Sequence, residues 1–189
     1  HAVRAEQNQA LDIAIELAHF FAKPLLIYQG LAGAHRFNSD RHHSFILQGA
    51  RDVAAEFAAR GMRYVFNLAT SPQQSSPLRA LFANAAAVVV EDFPAPPFPR
   101  WTRALATHAR GPVWAVDASC LVPLRASNKI FDRAYSFRSA NAKAWDAAIA
   151  KPYVELRYQG GFYAGPVGFD SFDFATPISS AIVRCQIDH

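Results

Sequence analysis

Apolar residues come along this chain in short bursts, separated by proline, glycine and polar segments. The clearest stretch runs from Ser39 to Leu68. Phe45, Ile46, Gly49, Ala50, Val53, Ala54 and Phe57 recur at three- and four-residue spacing and so share one face of a predicted helix. Gln48, Arg51, Asp52 and Glu56 fall on the other side. Ser39 or Asp40 is placed to cap the start, and Gly61 to leave the helix in a left-handed conformation. Arg63–Leu68 then reads as a short apolar strand. Gly49 costs roughly 1 kcal/mol against alanine in a helix interior. On an apolar face it is either simply tolerated or marks the close approach of another backbone.

The same reading extends in both directions. Asn8–Ala22 carries Leu11, Ile15, Ala18 and Phe20 or Phe21 at helical spacing, and Lys23-Pro24 closes it. Leu25–Tyr28 is a buried strand, and residues 30–38 form a loop with two glycines. After Leu68 come a polar loop (70–77), a short helix (Leu78–Asn84) and a strand (Ala86–Val90). Glu91–Pro99 is proline-rich and predicts an extended loop; Trp101–His108 predicts a helix and Val113–Val116 a fourth strand. Ala134–Ile149 is one more helix. Tyr158–Gly168 carries no regular pattern, residues 151–189 read as a tail or linker that expects something to pack on, and no internal repeat stands out. Strands alternating with helices predict an α/β fold, a doubly wound, Rossmann-like parallel sheet with helices on both faces. Ligands of such sheets sit outside the carboxyl ends of the strands. The segments to inspect are therefore Tyr28–Gly30, Asn67–Thr70, Glu91–Phe93 and Asp117–Cys120.

Composition changes this picture only at its edges. At 189 residues, 51% hydrophobic and 18% charged, the chain can bury the core of one α/β domain plus a tail. No apolar run approaches the roughly 20 residues that span a bilayer, and no basic-then-apolar leader opens the chain, so no membrane partner is expected. Cys120 and Cys185 form no disulfide framework and lack metal-site spacing; both read as reduced thiols of an intracellular, cytoplasmic protein. The net charge of +4 suits a polyanionic partner, but the basic residues are scattered along the sequence.

Candidate chemistry is sparse. Glu91 and Asp92 can accept hydrogen bonds from a ligand's amide or ring N–H groups, or cap the next helix. As neighbours they point apart and make a poor acid/base pair, so no catalytic residue is expected. Arg41 and His42 can fix the helix start against the preceding loop or reach into the crevice. His42 and His43 are adjacent, do not face one another on a helix, and have no Cys or carboxylate at ligand spacing, so no metal site is expected. There is no G-x-G-x-x-G, Walker or G-x-S-x-G motif. Gly30-Leu-Ala-Gly33 is a weak phosphate signal, and Ser75-Ser76 and Ser179-Ser180 have no placed base. The residues alone describe a ligand-binding α/β domain of unnamed ligand.

Four short motifs carry a resemblance. Asn8, Ala10 and Leu11 match a helix opening Asp-Asn-Trp-Ala-Leu, and Arg41-His42, Phe45, Gly49 and Val53-Ala54 match a second helix. Val90-Glu91-Asp92-Phe93-Pro94 is similar to a strand ending in Thr-Asp-Phe with a proline soon after. Val116-Asp117-Ala118 with Val122-Pro123 matches a Val-Asp-Ala, three residues, Val-Pro pattern. Lys129, Ala134 and Arg138 keep part of a later motif, with Asp132 and Tyr135 replacing its Tyr and Arg. In this order the motifs resemble the N-terminal α/β domain of DNA photolyases, nearest to class II cyclobutane-dimer photolyases, over residues 1–140.

The resemblance implies an antenna domain that holds a deazaflavin or methenyltetrahydrofolate chromophore, with Tyr28, Arg41, His42, Glu91, Asp92 and Phe93 as its contacts. It implies that residues 141–189 are an interdomain linker and that the family's first strand lies upstream of His1. FAD would be bound by a C-terminal helical domain absent from this chain. In that parent protein, light-excited reduced FAD would split pyrimidine dimers in damaged DNA, a lyase reaction that this piece alone would not perform. Location would be cytoplasmic, at the nucleoid, or nuclear in a eukaryote. A cryptochrome-like blue-light sensor, or a free-standing nucleotide-binding α/β module, are the alternatives.

Overall fold

The computed structural model describes residues 3–33, 37–127 and 129–189. Helix α1 (Gln9–Phe20) leads to strand β1 (Leu26–Leu31), helix α2 (Asp40–Ala59) and strand β2 (Arg63–Leu68). Then follow α3 (Leu78–Asn84), β3 (Val88–Glu91), α4 (Phe98–Ala106), β4 (Val113–Val116), a 3-10 turn (Leu124–Ala126), α5 (Ala134–Ala150) and α6 (Ile178–Ile182). This is the expected α/β class, with every ladder parallel. The described strands form two pairs, β1 with β2 and β3 with β4. Register runs from Leu26 opposite Arg63 to Leu31 opposite Leu68, and from Val88 opposite Val113 to Glu91 opposite Val116.

Local signals explain the ends of the elements. Asn8 caps α1 by accepting from the amides of Ala10 and Leu11, and Ser39 caps α2 by accepting from the His42 amide. Gly61 adopts φ +71°, the left-handed stop its position predicts. Three boundaries differ from expectation. Strand β1 continues through Gly30 to Leu31, shortening the expected 30–38 loop, of which 34–36 lie outside the described residues. Helix α1 ends at Phe20, with Ala22 left-handed, before the proline acts. Helix α4 starts at Phe98, inside the segment expected to be extended, because proline is tolerated in a first helical turn, where its missing N–H has no partner to lose.

The face of α2 needs correction. His43, Leu47, Ala50, Val53 and Phe57 are its buried residues. Phe45 is 78% exposed, and a Cβ built on Gly49 would meet open space, so no backbone packs there. Ala50, Val53 and Phe57 of the expected face are on this stripe, while Phe45, Ile46, Gly49 and Ala54 are not, and His43 and Leu47 open it instead.

Two clusters hold the molecule. One joins Leu11 and Ile15 of α1 to Val53 and Phe57 of α2, with Ala5 and Met62, and packs Ile27, Tyr64, Leu156 and Tyr158 against them. The other joins Leu47, Ala50, Leu31, Phe66 and Ile182, with Phe172 and Phe174 against them. Each fully buried large apolar side chain here contributes about 1.5–3 kcal/mol. Residues 151–189 therefore act as a belt, and the surface they pack on is the core of this same chain. Glu155 accepts from the Gln7 amide (2.6 Å), Arg60 donates to the Leu156 carbonyl (3.1 Å), and Phe172 donates its amide to the Phe66 carbonyl (2.8 Å). At its far end Asp40 and Asp188 are joined by an amide-to-carbonyl bond of 3.2 Å.

The belt also contains a repeat that the sequence pattern did not reveal. Tyr158-Gln-Gly160 and Tyr163-Ala-Gly165 each fold the tyrosine ring over the glycine two residues on. The hydroxyls then donate to Gly161 (2.8 Å) and Pro166 (3.0 Å) carbonyls. Tyr28-Gln-Gly30 in β1 packs its ring in the same way.

Candidate functional site

Parallel strands place all their carboxyl ends on one side of a sheet, so the residues just beyond β3 and β4 share a rim. Glu91 ends β3, and the Asp92 amide extends the ladder by donating to the Val116 carbonyl at 2.8 Å. The loop after β4 is built against these carboxylates. Ser119 donates its hydroxyl to Glu91, and Arg125 grips Asp92 in bidentate fashion, its Nη2 at 3.1 Å from Oδ1. Asp117 accepts from the amides of Ser119 (3.1 Å), Cys120 (2.9 Å) and Leu124 (3.0 Å). Partial burial pushes its carboxyl pKa up, but the three amides outweigh that and hold it below the ordinary value. The same negative charge, added to burial, raises the Cys120 thiol, which makes it a poor nucleophile. Arg4 closes the rim by donating to the Ala118 carbonyl (2.7 Å).

Phe93 begins a line of rings. It meets Phe98 edge-on at 5.2 Å, and Phe98 meets Trp101 at 5.5 Å. Phe93 and Phe98 are half-buried, whereas Trp101 is 52% exposed.

Tyr28 sits on the other strand pair. Its hydroxyl reaches the side chains of Asn67 and Ser76, and Phe169 stands edge-on to its ring at 5.9 Å. Burial raises the phenol pKa, and the two hydrogen-bonding neighbours only partly reverse this. Arg41 and His42 occupy the first turn of α2, Arg41 exposed and His42 half-buried. The structure thus brings Glu91, Asp92 and Phe93 together on one rim, and it places Tyr28 and the Arg41-His42 pair on separate elements.

Sequence reasoning weighed His43 only as a metal ligand beside His42 and missed it as a core residue. It is wholly buried, and neither of its ring nitrogens completes a hydrogen bond. Burial lowers its pKa, as does neighbouring His42. The signal was present as spacing, since residues 43, 47, 50, 53 and 57 form one stripe. Among the described residues no group of three His, Cys, Asp or Glu is arranged to hold a metal, and no helix is long and apolar enough to cross a membrane.

No family model matches the chain. Over 127 residues it is 29% identical to a deoxyribodipyrimidine photo-lyase of Methanothermobacter thermautotrophicus strain Delta H, a span of 67% of this chain and 28% of that protein. The likeness is thus to a photolyase, and it covers little more than a quarter of that relative's length.

Proposed function

We propose that this chain is the N-terminal, light-harvesting α/β domain of a deoxyribodipyrimidine photolyase of the class II type. The observation that carries the reading is the 127-residue likeness to a photo-lyase, which supports the same family as the four ordered motifs. In the whole protein, a C-terminal helical domain would hold FAD and damaged DNA, and residues 141–189 would lead to it. Such a protein would repair pyrimidine dimers in the cytoplasm or nucleus by light-driven electron transfer.

Within this domain, the rim after β3 suits a planar heteroaromatic chromophore. Glu91 and Asp92 supply carboxylate acceptors for ring N–H groups, and Phe93 supplies an apolar ring beside them. Tyr28, Arg41 and His42 would contact it only if it extended across to β1 and α2. A bound deazaflavin or folate would absorb light and pass excitation energy to FAD. The protein's own part is to hold the ring system in a fixed orientation and keep water from it.

The two strand pairs support a further part of this reading. Helix α1 touches β3 and β4, yet shares a core cluster with β1 and β2. One more parallel strand, about 5–6 residues long and feeding α1 from upstream, would join the pairs into one sheet. A reading frame without an apolar stretch upstream of residue 1 would remove this part.

The chromophore site is tested by titrating the chain with methenyltetrahydrofolate and, separately, a deazaflavin, following absorbance and fluorescence. Saturable binding is expected for one of them, weakened about tenfold or more by Glu91→Gln or Asp92→Asn, in line with loss of a hydrogen bond to a charged group. Absence of binding by either, at concentrations well above micromolar, overturns the antenna assignment.

A further inference from the structure

We propose that the surface formed by α3 and α4 is a docking face for single-stranded nucleic acid. Arg79 lies on α3, Arg100 and Arg103 on α4, and Arg110 in the turn into β4; all are exposed. The two helices touch, so arginines that look scattered in sequence are brought onto neighbouring elements. The ion pairs found among the described residues involve none of them. Arg103 donates its Nε to the Pro99 carbonyl (3.2 Å), which leaves the rest of its guanidinium edge outward.

Few acids lie near these arginines in sequence. Between Leu68 and Asp117 the acids are Glu91 and Asp92, both at the end of β3, where Ser119 and Arg125 engage them.

Trp101 decides which polyanion fits. It stands between Arg100 and Arg103 in sequence, 52% exposed, with Phe98 bracing it edge-on at 5.5 Å. An exposed indole on the same helix as two arginines that form no ion pair among the described residues offers a stacking platform beside phosphate contacts, the combination by which single strands are bound without base reading. A duplex keeps its bases stacked inside and has no use for the indole, and an acidic peptide has no planar group to lay on it. This inference stands on charge and exposure and does not depend on the chromophore reading.

The test uses the full chain with fluorescein-labelled oligothymidylate of about 12 nucleotides, oligouridylate, a duplex of equal length, heparin and polyglutamate. Oligothymidylate or oligouridylate should bind tightest, and the tighter of the two names the natural sugar. Log affinity should fall against log salt with a slope of about −2 to −3, which is three or four phosphate contacts at roughly 0.7 each. Arg100→Gln with Arg103→Gln should flatten that slope by about 1.4, and the paired lysine variant should restore it. Trp101→Leu should weaken single-strand binding about tenfold without changing the slope or heparin affinity. Equal affinity for heparin or polyglutamate, or indifference to Trp101→Leu or to the arginine variants, overturns the proposal. Glu91→Gln, which tests the chromophore site, should leave strand binding intact.

Discussion

Glycine positions in this chain answer opposite physical demands. At Gly160 a Cβ would come within 2.6 Å of the Tyr158 ring, and at Gly49 it would meet nothing within 4 Å. Tyr158 would have to swing away in a Gly160→Ala variant. That would disturb the bonds in which its hydroxyl donates to Gly161 and accepts from the Leu25 amide. A loss of about 1–2 kcal/mol is expected, the worth of one or two net hydrogen bonds. Gly49→Ala should instead stabilise by about 0.5–1 kcal/mol, because alanine loses less backbone freedom in a helix. Urea denaturation midpoints of the two variants should move in opposite directions, and a shift in the same direction would contradict this packing.

At the scale of elements, the start of α2 is bound to the end of the belt. Asp188 accepts from the Asp40 amide and donates to the Asn38 carbonyl (3.4 Å), and the His189 ring lies 2.7 Å from the Asp40 carboxylate. His43 is buried beneath this junction, with the charges of Asp40 and His42 on its own helix and of His189 on the belt acting on it. Its folded pKa lies below its unfolded one, so the unfolded chain binds the proton more readily. The stability it lends is complete above about pH 6.5 and is lost as pH falls through that value toward the folded pKa. Thermal midpoints should drop from about pH 7 to about pH 5, and the drop should shrink in His43→Leu. An equal drop in that variant would assign the effect elsewhere.

Much of this level was legible in the sequence, because it depends on neighbours along the chain. Arg63–Leu68, Leu78–Asn84 and Val113–Val116 fall where their apolar runs and breakers put them. So does the rim of Glu91, Asp92 and Phe93, which follows from strand direction alone. The C-terminal half of the α2 stripe was legible, but its start was not, since a buried histidine with no hydrogen bond to its ring breaks the rule that apolar residues mark the stripe. The belt's need for a partner was legible, but the partner itself was not. Its aromatic residues answer to partners more than a hundred positions away, and such contacts leave no period to read.

For the whole molecule, burial is uneven. Cores gather around β1, β2, α1, α2 and the belt, while α4 and α5 bury no residue. Ile182→Ala, in α6 at 4% exposure, should cost about 2–4 kcal/mol. Ile149→Ala, in α5 at 70% exposure, should stay within about 0.5 kcal/mol. Comparable losses at both sites would mean that α5 is covered by something in solution.

The belt also sets a timetable. Glu155 meets Gln7, and Asp188 meets Asn38, so the pairings that close the core span most of the polypeptide. A ribosome releases residues in order, and the helices and strands of the first half can form early without their closing partners. High contact order makes the last step slow, and until residues 151–189 emerge the nascent chain presents Phe66, Leu31 and Tyr64 to whatever is nearby. During synthesis, then, this protein should be a client for chaperones.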